Sequence, residues 1–301
     1  MAKTRHDYAG GKSAGPQRGP QAKMRARERL AAERAARKRA EARRRLLVPI
    51  GAVTAVLAIV VALVAVKLTS TPAHLVASES TASSVVVRQV STVPASVLAK
   101  VSPGQAANGF TPLETVTTSG PPLTIGGKPA IVFVSEESCP FCAAERWPVA
   151  VALSHFGTLS HLGTTSSSAT DVYPNTATLS FRTVRYQSTE LTLRTTELAD
   201  NAGRPLQPQT GLDTRLIDTF DVPPYVNSAD QSGAVPFLDI ANKYVLAGAQ
   251  YNPQVLAGLS ATQIASQLSS PASLVARAVD GSAQAIIAAI DQVLHTQTAR
   301  S

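Results

Sequence analysis

Cys139 and Cys142 are the only cysteines among 301 residues, and they stand two residues apart in the stretch FVSEESCPFCAAERWP, Phe133 to Pro148. Such a pair can act as a redox dithiol, as half of a metal site or as a structural staple. A thiolate exchanges disulfides only when its pKa is drawn towards ambient pH and its sulfur is reachable. A Cys-x-x-Cys at a helix N-terminus meets both conditions. The first cysteine sits at the helix mouth, where unsatisfied N–H groups and the macrodipole favour the anion. This makes Cys139 the attacking thiol and Cys142, one turn inside, the resolving one. The zinc alternative rests on Cys139-x2-Cys142-x12-His155-x5-His161, which satisfies two-Cys, two-His spacing. Against it, a finger carries its cysteines on a hairpin and its histidines a turn apart on one helix. Here the helix begins at the cysteines, and Gly157 falls between the histidines. An inert disulfide is the third option, although a bridge across two residues constrains little of the unfolded chain.

The elements around the pair follow from pattern. Gly126-Gly127-Lys128-Pro129 reads as a turn opening into the apolar run Ala130 to Val134, which suits a strand buried on both faces. Downstream, Trp147, Val151 and Leu153 to Phe156 fall at helical spacing, with Gly157 expected as a left-handed cap. The pair therefore lies where a buried strand hands over to a helix. GTLSHLGTTSSSATDVYPNT reads as a polar loop, and ATLSFRTVRYQS and LTLRTTEL as antiparallel strands or a hairpin. Ala199 to Ser232 reads as a mixed helical or irregular insert. Val235-Pro236 then opens a strand, an Asn-Lys turn and a second strand ending near Gly248. Two helices close the chain, one N-capped by Ser260, the other with Ile286, Ile290 and Val293 on one face. A short helix is expected within VPASVLAKVSPG, ahead of Pro103-Gly104. No internal repeat is visible.

Composition sets the compartment. At 44% hydrophobic and 16% charged, the chain is not disordered as a whole. Residues 1–45 hold 15 Lys/Arg and 4 Asp/Glu, while the remaining 256 hold 13 and 16. The basic pI thus belongs to the tail. Leu46 to Val66 follows, 21 residues without a charge, enough at 1.5 Å per residue to cross a hydrocarbon core of about 30 Å. The basic region is too long for a cleavable signal peptide, so residues 46–67 are expected to be an uncleaved signal anchor. Arg43, Arg44 and Arg45 abut the apolar run on one side and Lys67 alone on the other. By the positive-inside rule the tail stays in the cytoplasm and the rest lies outside, at the plasma membrane, in an oxidising compartment. The organisation expected is a basic tail 1–45, an anchor 46–67, a Ser/Thr/Ala-rich spacer 68–89 and one extracytoplasmic domain 90–301. The tail has no aromatic or Gly-rich interleaving, so nucleic acid is not expected as a partner.

Strand, Cys-Pro-aromatic-Cys at a helix start, then a Val-Pro step opening a strand pair and a terminal helix: this order resembles the thioredoxin superfamily. More specifically, CPFCAAERWPVAVALSHFG with SFRTVRYQSTELTLRTTEL is similar to a membrane-anchored, thioredoxin-like prokaryotic family of unestablished function, domain of unknown function 929, over roughly residues 90–295. The resemblance implies an α/β thioredoxin-like fold, a central mixed sheet flanked by helices, with an insertion between the Cys-x-x-Cys helix and the cis-proline strand. It implies that Pro236 is cis and lies against the sulfurs, and that Val235 offers its backbone to a substrate strand. Pro140 and Phe141 complete the expected substrate-facing set.

Two departures from thioredoxin matter. Phe133 occupies the place of a buried acid that assists the resolving thiol, and Glu136, Glu137 or Glu145 either substitutes or is a solvated charge. The dipeptide Pro140-Phe141 lacks the histidine of strong oxidants, so a potential of roughly −180 to −250 mV is expected. Arg146 adds positive potential near Cys139 or forms a surface salt bridge; Trp147 reads as core. The function implied is a membrane-anchored thiol–disulfide oxidoreductase without cofactor. Its partners would be extracytoplasmic protein thiols and disulfides and a membrane or soluble redox partner. A non-catalytic thioredoxin-like scaffold is the alternative, and a zinc module on Cys139, Cys142, His155 and His161 the third.

Overall fold

The computed structural model describes residues 80–104, 109–117, 120–226 and 233–298. The basic tail and the expected anchor 46–67 lie outside them, and among the described residues no helix is long and apolar enough to cross a membrane. In chain order the elements are β1 (Ser80–Thr81), α1 (Ser84–Ser91), α2 (Ala95–Leu98), β2 (Glu114–Thr115), β3 (Thr124–Ile125), β4 (Lys128–Ser135) and α3 (Pro140–Phe156). Then come β5 (Thr158–Ser160), β6 (Gly163–Ser166), β7 (Ala177–Ser180), β8 (Arg185–Gln187), β9 (Thr192–Glu197) and α4 (Gly211–Phe220). The chain closes with β10 (Phe237–Ile240), β11 (Tyr244–Ala247), a 3-10 turn (Pro253–Leu256), α5 (Ala261–Gln267) and α6 (Leu274–Thr298).

β4 is the axis. The preceding hairpin turns on Gly126 and Gly127, both at positive φ (60° and 80°), the backbone a two-residue connection requires. β4 pairs β9 in parallel and β10 antiparallel, and the central mixed sheet continues through β11 to β2. Its side chains alternate between two cores. Ile131 and Phe133 join α3 and α6 on one face; Val132 and Val134 join Leu216, Ile217 and Phe220 of α4 on the other. Helices thus flank both faces of the sheet. Each fully buried side chain of this size contributes about 1.5–3 kcal/mol, so the strand leading to the cysteines is firmly held.

α3 is apolar around its whole circumference, which is the pattern of a buried helix, and every residue from Cys142 to Leu153 is buried. Pro148 inside it cannot donate to the carbonyl of Ala144. Tyr251 Oη donates to that carbonyl instead, at 2.8 Å, so the missing donor is replaced from outside the helix. Trp147 is core as expected: it is fully buried, and its Nε1 donates to Ala177 O at 3.2 Å. The Ser260 cap also stands, as a capping box with Gln263.

Four expectations are corrected. Gly157 is not a left-handed cap; at φ −179° and ψ −163° it is extended. Glycine is needed there because a Cβ would collide with Gln187 O and Ser188 Cβ, where the chain enters the β5–β8 pairing. ATLSFRTVRYQS supplies two antiparallel strands, β7 on β6 and β8 on β5, but LTLRTTEL is no hairpin partner to them, since β9 runs parallel to β4. The hydroxyl-rich stretch after Gly157 is not all loop, since β5 and β6 form within it around buried Leu159 and Leu162. Finally, a helix the pattern reading lacked, α1, starts at Ser84 and buries Val86 and Val90 in the core.

Candidate redox site

Cys139 is the N-cap of α3. Its backbone is extended, and its Sγ accepts the N–H of Cys142 at 3.2 Å. The sulfur thereby takes the role an N-cap oxygen plays, satisfying one orphan donor of the helix start. Pro140 follows at the first helical position, where a missing N–H costs nothing. Both cysteines are free thiols. Cys139 is 8% exposed and Cys142 not at all, and Cys142 Sγ accepts the N–H of Glu136 at 3.5 Å.

The two thiols are driven apart. The hydrogen bond from the Cys142 side chain holds Cys139 below the ordinary thiol value against the opposing effect of burial, helped by the N–H groups of Cys142 and Phe141 and by the charge of Arg146. Burial, reinforced by Cys139 itself, pushes the Cys142 thiol well above it. The thiol at the helix mouth therefore ionises more readily than the thiol one turn inside.

The opposing strand completes the site. Pairing of Phe237 with Val134 carries the Val235-Pro236 step to the end of β4, and that peptide is cis. Cys139 Sγ donates to Val235 O at 3.6 Å. Phe141 is 39% exposed and packs edge-to-face on Tyr173, with ring centroids 5.8 Å apart. Beside it a cavity of about 350 Å³ is lined by Phe141, Tyr225, Val235, Leu246 and Gly248 among others. Val235 thus meets Cys139 directly, Pro140 and Phe141 follow Cys139 in the chain, and Pro236 follows Val235 at the cis step.

The zinc constellation does not gather. His155 lies 13 residues beyond Cys142 on the same helix, about 20 Å away by helical rise. Among the described residues no three His, Cys, Asp or Glu side chains come together as a metal site.

The acidic residues and Arg146 depart from their solvated readings. Glu137 is buried and accepts Ser180 Oγ at 2.6 Å. Glu145 is fully buried, accepts the N–H of Gln250 at 2.9 Å, and is pushed up to about 8 by burial. Arg146 forms a salt bridge, but not on the surface: both it and Glu197 are fully buried. Its Nε donates to Glu197 Oε1 (2.9 Å) and its Nη2 to Glu197 Oε2 (2.7 Å) and Ser135 Oγ (3.4 Å). Nothing in the sequence singles out Glu197 or Ser135, because each is the last residue of its strand, one read by alternation and the other as an apolar run. The available signal was α3 itself: in a helix apolar all round, an adjacent Glu-Arg pair must be buried and must find partners.

These features define a class: a mixed α/β domain carrying a dithiol at a strand-to-helix junction, faced by a cis-proline strand. Residues 114–227, from β2 through the dithiol and past the end of α4, match the family described as Domain of unknown function (DUF929), which supports that family for this chain. No curated protein and no solved structure matches it.

Proposed function

We propose that the protein is a membrane-anchored, extracytoplasmic thiol–disulfide oxidoreductase of thioredoxin-like fold. The observation that carries this reading is the asymmetry of the pair, with Cys139 Sγ capping α3 opposite Val235 O while Cys142 is sealed beneath it. The fold reading is supported by the order β9-β4-β10-β11, with α3 joining towards the parallel strand and α6 following the antiparallel pair.

In the reducing direction the Cys139 thiolate attacks one sulfur of a substrate disulfide. A mixed disulfide forms and the other substrate sulfur leaves as thiolate, taking a proton from solvent. Cys142 then loses its proton and attacks Cys139 Sγ, which releases the second substrate thiol. The protein is oxidised to the Cys139–Cys142 disulfide as the substrate gains two electrons, and the oxidising direction is the reverse.

The test is equilibration of the full chain with glutathione or dithiothreitol buffers, followed by exchange with a disulfide-bonded protein. A potential between roughly −180 and −250 mV with measurable exchange is expected. A potential below about −300 mV without exchange marks a retained structural bridge and the scaffold reading. For placement, the one-sided Arg43–Arg45 cluster supports an outward C-terminal domain. A reporter active only outside the cytoplasm, fused after Ser301, is expected to work. Activity of a cytoplasm-only reporter at that point would overturn the placement.

A further inference from the structure

Behind the dithiol lies a charge that the exchange chemistry above does not use. Cys139, Cys142 and Arg146 stand at i, i+3 and i+7 of one helix and share a face. Long helical side chains lean back over the turn N-terminal to their own Cα, which carries the guanidinium towards the cysteines. Glu197 at the end of β9 and Ser135 at the end of β4 hold it there. Its Nη1 is buried and has no hydrogen-bond partner among the described residues. The groups facing it are Cys139 and Cys142 from α3, Glu137 from the turn before α3, Ser135 from β4 and Glu197 from β9.

We propose that Arg146 is the electrostatic positioning residue of the dithiol: a buried, permanent cation that favours the thiolate at Cys139, with Glu197 fixing how much of its charge the sulfurs feel. The inference rests on the redox reading of the site. Burial is what gives the cation its reach, because water and salt do not screen it as they screen a surface charge. Although burial works against the charged guanidinium, Glu197 more than compensates, so Arg146 stays protonated at every accessible pH. Its charge lowers both thiols. The carboxylate opposes it, so the two partners of one salt bridge act on Cys139 with opposite sign.

That opposition separates tuning from mere packing. In the full chain in detergent, carrying Cys142→Ser, the alkylation of Cys139 by iodoacetamide is followed from pH 4 to 10. Arg146→Met is expected to slow alkylation at pH 6 on the order of tenfold, and Arg146→Lys to stay near the parent. Glu197→Gln is expected to speed it several-fold. Either single change leaves a buried polar group without its partner, so Arg146→Met/Glu197→Met is included; buried pairs tolerate replacement by apolar side chains of similar volume. This double variant loses the cation and the opposing carboxylate together and is expected to fall between the parent and Arg146→Met. A folded double variant with the parent profile overturns the proposal, as does movement of Arg146→Met and Glu197→Gln in the same direction. Alkylation requires no protein substrate. A shifted profile in a protein that exchanges no disulfides would sink the oxidoreductase reading and leave this one standing, and an unshifted profile in an active protein would do the converse.

Discussion

Cys142→Ser is expected to accumulate substrate proteins as reducible adducts on Cys139, and Cys139→Ser to accumulate on the order of tenfold less. The first variant keeps the backbone contribution to activating the nucleophile. The helix start survives, and the N–H that Cys139 Sγ accepts at 3.2 Å belongs to the backbone of residue 142. The variant loses the thiol–thiol hydrogen bond, so the Cys139 thiolate is less favoured than in the parent, yet the thiolate that remains has no resolving partner. Mixed disulfides then form and are not cleared. The second variant leaves only Cys142, which has no exposed surface and whose thiol burial pushes well above the ordinary value. Few thiolates form there, and those few are out of reach. Non-reducing electrophoresis of the membrane fraction, with and without dithiothreitol, reads both variants. Equal trapping by the two, or trapping by neither, would exclude the proposed division of labour even with the fold intact.

What makes this site legible in the sequence is that its signals are local. A turn of two glycines, an apolar run, Cys-Pro-aromatic-Cys and a helical stripe all lie within about thirty residues, and each constrains its own backbone. The strand opened by Val235-Pro236 is read from pattern and its place near the sulfurs is implied by the resemblance; the register of β10 on β4 brings Val235 to Cys139. The partners of β4 were not legible, because β9 joins it in parallel from more than fifty residues away and local alternation carries no record of such pairing. Charge is left open in the sequence for a related reason. Residue type alone does not decide between a role at the site and solvation for Glu137, Glu145 and Arg146, because their surroundings come from β7, β9 and the segment after β11. Glu197 is separated from Arg146 by 51 positions, so no spacing rule connects them.

Stability is expected to be greatest near pH 5 and to fall by several kcal/mol by pH 9. Burial pushes Glu145 and Asp280 up to about 8 and Asp239 up to about 7. Neither oxygen of Asp280 has a hydrogen-bond partner among the described residues, and Asp239 Oδ2 lacks one as well. In the unfolded chain these carboxyls release their protons near pH 4. The native state therefore holds more protons than the unfolded state from about pH 4 until each group ionises at 7 to 8. Stability from these groups is full below pH 4 and is lost as pH rises through 7 to 8. At the acid end the sense is reversed. Burial would raise Asp213, but bonds from Thr210, Arg194 and Thr196 hold it below its ordinary value, so its contribution vanishes as pH falls below about 4. The lowered thiol of Cys139 adds stability as pH rises towards its unfolded value, an opposing effect that a Cys139→Ser background removes. In that background urea midpoints are expected to decline from pH 5 to about pH 8 and then to level off. Adding Asp280→Asn, which cannot ionise, should flatten the decline and leave the protein more stable than its parent at pH 9. A midpoint that is constant or rises over this interval would mean that Glu145 and Asp280, on α3 and α6, and Asp239, on β10, are solvated as ions, and that the core around them is not closed to water.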